Sequence, residues 1–267
     1  MSNEYYLADS ERYKEIQEKI FKDYNYQIPP ASFFKEFASE DLQIFGVRTG
    51  LYTFPTLELI EFLRPWIVGK KAVEICAGYG IIGKALGIPC TDSYLQNESH
   101  VNFLYNLFQQ TPINYPKEVL KISANDVIKY YNPQVVIGSF VTGTKDMHGH
   151  PLNMYGVEED LFLDDIETYI MIGNENVHKT KNIRVKPHRV YKADWLVTKA
   201  RNPQNNMIYI WSKDFVDIDH DKYGVQVYET QIDPAEMPEQ PALGPLESIE
   251  KLFKEVIGEI PQSRNLY

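Results

Sequence analysis

Between residues 71 and 211, short apolar runs alternate with amphipathic segments, and that alternation constrains the fold more than any other feature. Residues 71–76 (KAVEIC), 88–92 (IPCTD), 119–123, 134–140 (QVVIGSF) and 168–173 (TYIMIG) read as strands. Residues 81–86, 101–108 and 127–131 read as the helices between them. Such an order predicts an α/β layer fold with a mostly parallel sheet. Residues 195–200 and 207–211 flank the turn-rich stretch 201–206, which predicts a closing antiparallel strand pair.

The flanks differ in character. Residues 11–23 place Tyr13, Ile16, Ile20 and Phe21 at helical spacing. Ser32 is a candidate cap for a short helix through Phe37, and residues 46–56 read as a loop rich in glycine and hydroxyls. Pro55 suits the opening of a helix carrying Leu57, Ile60, Leu63 and Ile67. Residues 158–165 read as an acidic helix. The proline-rich stretch 233–245 predicts an extended linker. It leads to an apolar stripe through Leu246, Ile249, Leu252, Phe253, Val256, Ile257 and Ile260, expected to dock on its own domain. The expected division is therefore 1–55 as a helical N-terminal extension or lid, 56–232 as the cofactor-binding domain, and 233–267 as linker and C-terminal helix.

With 43% hydrophobic and 24% charged residues, the 267-residue chain is neither disordered nor fibrous. No apolar run approaches the ~20 residues of a membrane span. The first ten residues lack the basic start and apolar stretch of a signal peptide. Cys76 and Cys90 are the only cysteines, expected as reduced thiols in a cytoplasmic protein. A net charge of −10 argues against a general nucleic-acid coat protein.

Gly78-Tyr79-Gly80-Ile81-Ile82-Gly83 spells G-x-G-x-x-G between a strand and a helix. Glycines there let the backbone turn tightly and approach a ligand closely. A dinucleotide site places its ribose-holding acid about 20 residues beyond the loop, whereas Asp92 follows Gly83 by only nine positions. A nicotinamide oxidoreductase is therefore the weaker alternative. The spelling Val73-Glu74-Ile75-Cys76-Ala77-Gly78-Tyr79-Gly80 puts an acid inside the strand before the loop. This resembles the first motif of class I S-adenosylmethionine (SAM)-dependent methyltransferases. Asp92, 18 positions after Glu74, stands where that family binds the ribose hydroxyls. Residues 119–126 resemble its third strand and adenine-contacting turn, 134–140 its fourth strand, and 195–211 its reversed terminal hairpin. The resemblance implies a Rossmann-like class I methyltransferase fold with SAM as cofactor. It implies cofactor contacts from Glu74, Ala77, Gly78, Tyr79, Gly80, Asp92, Ser123, Ala124, Asn125, Ser139 and Phe140. Where many members carry Asp, this chain has Ser123, so Asn125 or Asp126 becomes the candidate for the adenine amine.

The chain lacks the double proline that often follows the fourth strand in enzymes acting on exocyclic amines of bases, and it has no cysteine there. Asp146, His148 and His150 lie in the polar loop 143–156; His148 is a candidate base, and no metal site is expected. Glu175 and His178, candidates for acceptor binding or proton removal, follow the fifth strand, at the sheet edge where ligands sit in open α/β folds. Arg48 and Tyr52, with Asp146, are candidates to border the acceptor. Residues 179–201 carry eight basic side chains against Asp194 alone, an imbalance that the acidic stretch 158–167 can offset. The expected activity is methyl transfer to a small-molecule acceptor. An RNA methyltransferase using the basic stretch and a noncatalytic SAM-binding protein remain the alternatives.

Overall fold

Strands buried on both faces read as continuous apolar runs, and the computed structural model puts those runs at the centre of one sheet. It describes residues 12–107, 110–143 and 156–233. The strands of that sheet are β1 (Ala72–Ile75), β2 (Cys90–Asp92), β3 (Val119–Lys121), β4 (Val135–Ser139), β5 (Thr168–Asn174), β6 (His188–Ala193), β7 (Asn206–Ser212) and β8 (Val225–Thr230). Their spatial order is β3-β2-β1-β4-β5-β7-β6-β8. The first five run parallel to their neighbours. Strand β7 is wedged antiparallel between β5 and β6, and β8 closes the edge antiparallel to β6. This is a Rossmann-like α/β fold with a reversed strand, as the methyltransferase resemblance implies.

Alternation within the strands divides the core. Ala72, Val135, Ile137, Ile170 and Ile208 pack beneath the helix α1 (Leu57–Ile67), whose buried face is Leu59, Ile60, Phe62, Leu63 and Trp66. Thr56 caps that helix by accepting from the Leu59 N–H at 3.1 Å. Val73, Ile75, Val136, Tyr169 and Met171 face the other side, with Val127 of the helix Ala124–Tyr131. A third cluster joins the N-terminal lead-in to the glycine loop, with Phe21, Phe45, Leu51 and Phe54 against Tyr79 and Ile113.

Several boundaries differ from the sequence expectation. The partner of β7 is β6 and not residues 195–200, which turn away from the sheet. There Val197 accepts the Phe54 N–H at 3.0 Å, Tyr52 accepts the Lys199 N–H at 2.9 Å, and Thr53 bridges Thr198. The acidic stretch 158–165 contributes only a short 3-10 turn, Glu159–Leu161, because Glu159 points inward to an ion pair. The expected loop 46–56 begins only at Gly50 (φ 73°), because Ser39–Thr49 is helical. The lead-in helix stops at Ile20, and Phe21–Lys22 pairs with Asn25–Tyr26 as a small hairpin. The linker at 233–245 and the stripe at 246–260 lie outside the described residues, apart from Asp233. No described helix is long and apolar enough to cross a membrane.

Candidate functional site

The carboxyl ends of β1, β2 and β4 converge on the glycine loop. The chain leaves β1 through Cys76 with φ 50°, then turns at Gly78 (φ 55°) and Gly80 (φ 65°) into the helix Ile81–Leu86. Ala77 donates to the Thr91 carbonyl at 3.0 Å, which ties the loop to β2. Glu74 is buried, and its Oε2 accepts the Gly83 N–H at 2.8 Å. Burial pushes its carboxyl up to about 7 against the pull of that amide. The third glycine has a packing reason: a Cβ at Gly83 would sit 2.5 Å from Cys90 Sγ and 2.9 Å from Glu74 Oε2.

Asp92 anchors the loop from the end of β2. Its Oδ2 accepts the Gly78 N–H at 3.0 Å, and its Oδ1 accepts the Tyr94 N–H at 2.9 Å. Burial raises its pKa against the pull of those amides. A carboxylate offers about four lone-pair sites, so these two amides leave Asp92 able to accept further hydrogen bonds. Beside it, the Tyr94 and Tyr115 rings stack at 4.1 Å, within 9° of parallel, and Tyr94 OH donates to the Val119 carbonyl.

The turn after β3 carries the other expected contacts. Ser123 caps the helix Ala124–Tyr131, accepting the Asp126 N–H at 3.2 Å and donating to Asp126 Oδ2 at 2.7 Å. Ala124 packs in the core. Asn125 Oδ1 is buried without a hydrogen-bond partner among the described residues. A lone acceptor of that kind suits an exocyclic amine. The donor and acceptor chemistry of this set fits SAM.

Space at the strand ends is another matter. The cavity bounded by Tyr52, Thr53, Cys76, Gly78, Tyr79 and Ser139 has about 70 Å³, far under the roughly 300–1,000 Å³ of small-molecule sites. The segment after Gly50 closes it. Thr53 Oγ1 and Ser139 Oγ are 2.7 Å apart, Tyr79 OH donates to the Thr49 carbonyl at 2.8 Å, and Ile113 abuts Gly50 and Gly78. Tyr52 packs on Phe140 (5.8 Å between centroids), faces Tyr105 OH at 3.4 Å, and carries Lys199 Nζ 3.5 Å from its ring centre. The Lys199 ammonium lowers the Tyr52 pKa. Phe140 itself has φ 51°, and its ring meets His178 edge-on at 5.3 Å.

Candidates beyond β5 belong to an internal network. Glu175 is held by Arg184 at 2.8 Å and by Tyr209 OH at 2.6 Å. His178 is 1% exposed, with Nδ1 at the Asn174 backbone (3.0 Å to the carbonyl) and Nε2 unpartnered among the described residues. Burial pushes it down to about 3, so the ring is neutral. Arg48 ends the helix Ser39–Thr49, with a buried Nε that has no hydrogen-bond partner among the described residues. Asp146, His148 and His150 lie outside the described residues, which hold no cluster able to ligate a metal. Of the eight basic side chains in 179–201, six meet partners within the chain. Lys181 pairs with Glu159, Arg184 with Glu175, Lys186 with Asp164 and Arg189 with Glu229, while Lys192 and Lys199 lie over Tyr228 and Tyr52.

No family model matches the chain, and no curated protein matches it. It is similar to a solved SAM-dependent methyltransferase from Agrobacterium tumefaciens at 10% identity, with a TM-score of 0.30 over 58% of this chain. The match covers 61% of that protein, so the chain spans about three-fifths of its length. At that distance the fold is read from strand order alone.

Sequence reasoning missed Tyr94, Tyr105, Tyr115 and Lys199. The stretch Tyr94–Tyr115 holds three tyrosines in the crossover between β2 and β3, a composition that marks an aromatic wall beside Asp92. Nothing local signals Lys199, which reaches Tyr52 through a long-range clasp.

Proposed function

We propose that the chain binds SAM over the glycine loop and transfers its methyl group to a small-molecule acceptor. The observation that carries this reading is the coincidence of three things in one fold. These are the reversed β7 between β5 and β6, the positive-φ glycines after β1, and a carboxylate at the end of β2. Asp92 would hold the ribose hydroxyls, Asn125 Oδ1 would accept from the adenine amine, and Gly78 and Gly80 would let the backbone approach. When bound, SAM supplies an electrophilic methyl group on a sulfonium.

The residues do the rest by position and proton affinity. Tyr52 walls the strand-end cavity with Phe140 packed against it, and aromatic faces favour a cation without reacting with it. Tyr52, its phenol made more acidic by Lys199, is the best-placed group to take a proton from an acceptor there. Glu175 and His178 stand behind this wall as supports for Phe140 and Tyr209. Entry requires residues 50–53 and Ile113 to withdraw.

Calorimetric titration with SAM, S-adenosylhomocysteine and NAD tests the assignment. The two sulfur nucleosides are expected to bind and NAD not to. Asp92→Ala is expected to weaken SAM binding by about 1–3 kcal/mol. Failure of both sulfur nucleosides to bind ends the reading. The strand-end cavity of about 70 Å³, which leaves no room for an acceptor, favours a second reading, a SAM-binding protein without transfer activity. Binding without movement of labelled methyl onto any acceptor in an extract would select it.

A further inference from the structure

A second, larger cleft of about 550 Å³ opens beside Cys90 and Val119, the first residues of β2 and β3. That volume lies within the range of small-molecule sites. Its walls are aromatic: Tyr24 from the small hairpin, Tyr79 from the glycine loop and Tyr115 from the β2–β3 crossover. The Tyr24 and Tyr79 rings lie within 19° of parallel, their centroids 6.3 Å apart. Tyr94 stacked behind it braces Tyr115. Asp23 and Glu118 at the rim outweigh Lys84 in charge.

Tyr24 is an unusual choice for its position. It shares with Asp23 the two-residue turn of the hairpin, at φ 59° and 52°. Turns with both central residues at positive φ favour Asn-Gly, and a bulky side chain there is strained. Yet the Tyr24 ring remains 54% exposed, so packing gives little return for that strain. Strain of this kind gathers at ligand clamps.

We propose that this cleft binds a flat aromatic molecule of about nucleoside size, neutral or cationic, at a site that adjoins the strand-end cavity and shares Tyr79 with it. The inference goes beyond methyl transfer and holds whether or not SAM binds. Saturation-transfer NMR with tryptamine, caffeine and 4-hydroxybenzoate, without SAM, tests it. Tryptamine and caffeine are expected to bind, and the anionic ring more weakly. Tyr24→Gly removes the ring and suits the turn. It is expected to weaken both binders by at least about threefold, the worth of a ring–ring contact, with Tm unchanged or raised. Glu118→Gln is expected to narrow the gap between tryptamine and 4-hydroxybenzoate. Three results would overturn the proposal: no binding of tryptamine or caffeine at millimolar concentration, wild-type affinity in Tyr24→Gly, or a lowered Tm showing that the ring serves packing.

Discussion

Lys199 Nζ over the Tyr52 ring gives one phenol in the molecule an electrostatic reason to ionise early. Ultraviolet titration is expected to show a tyrosine deprotonating below the ordinary phenol range, and Lys199→Met is expected to abolish that phase. Buried Tyr79 and Tyr209 shift the other way. The pH dependence of stability follows from two further sites of opposite sign. Glu74, raised from an ordinary 4.5 to about 7, favours its neutral form in the fold. Its contribution is fully present below the unfolded value and is lost as pH rises through about 7. His178 and His188, pushed down to about 3 and 4, are neutral in the fold. Their contribution is present above the ordinary 6.5 and is lost as pH falls through those values. Melting curves are expected to show the wild type losing Tm between about pH 4.5 and 7 relative to Glu74→Gln. That variant keeps an acceptor for the Gly83 amide, so a parallel decline in both proteins would remove the assignment.

At the scale of elements, the helix Ile81–Leu86 lies so close to β1 and β2 that Gly83 leaves no room for a methyl group. Gly83→Ala is expected to destabilise by about 1–3 kcal/mol, with partial recovery in Gly83→Ala/Cys90→Ala, as thermal unfolding would report. The parallel strands were legible because burial on both faces writes them as unbroken apolar runs, from Val135 to Ser139 most plainly. Strand β6 was hidden: Arg189 and Lys192 interrupt its apolar pattern and are held by Glu229 and Tyr228 of β8. Trp195 and Leu196 look like a strand start, but the Trp195 indole donates to the Tyr223 carbonyl at 2.7 Å and the backbone turns. The turn at the glycine loop could be read from its G-x-G-x-x-G spelling, and Asp92 stands out only through the family resemblance. The closure over them could not be read, because its contacts come from chain segments far away in sequence.

Across the whole molecule, the charges of the basic stretch are largely spent internally. The Glu159–Lys181 pair, 2.5 Å apart and almost fully buried, also receives Tyr169 OH and reaches the Val141 carbonyl. Lys181→Met leaves a buried carboxylate alone and is expected to cost about 3–5 kcal/mol, much of it restored by adding Glu159→Gln. Denaturant titration of the single and double variants decides this. With six of eight cations engaged and a net charge of −10, retention on heparin is expected to be absent even at low salt, where electrostatic binding is strongest. Firm, salt-dependent retention would instead favour an RNA-binding role. The Thr53–Thr198 bridge has a kinetic corollary. Because the lead-in is pinned to the far third of the chain, admission at the strand ends is timed by how often that clasp lets go. Stopped-flow uptake would then level off with rising ligand concentration instead of climbing in proportion.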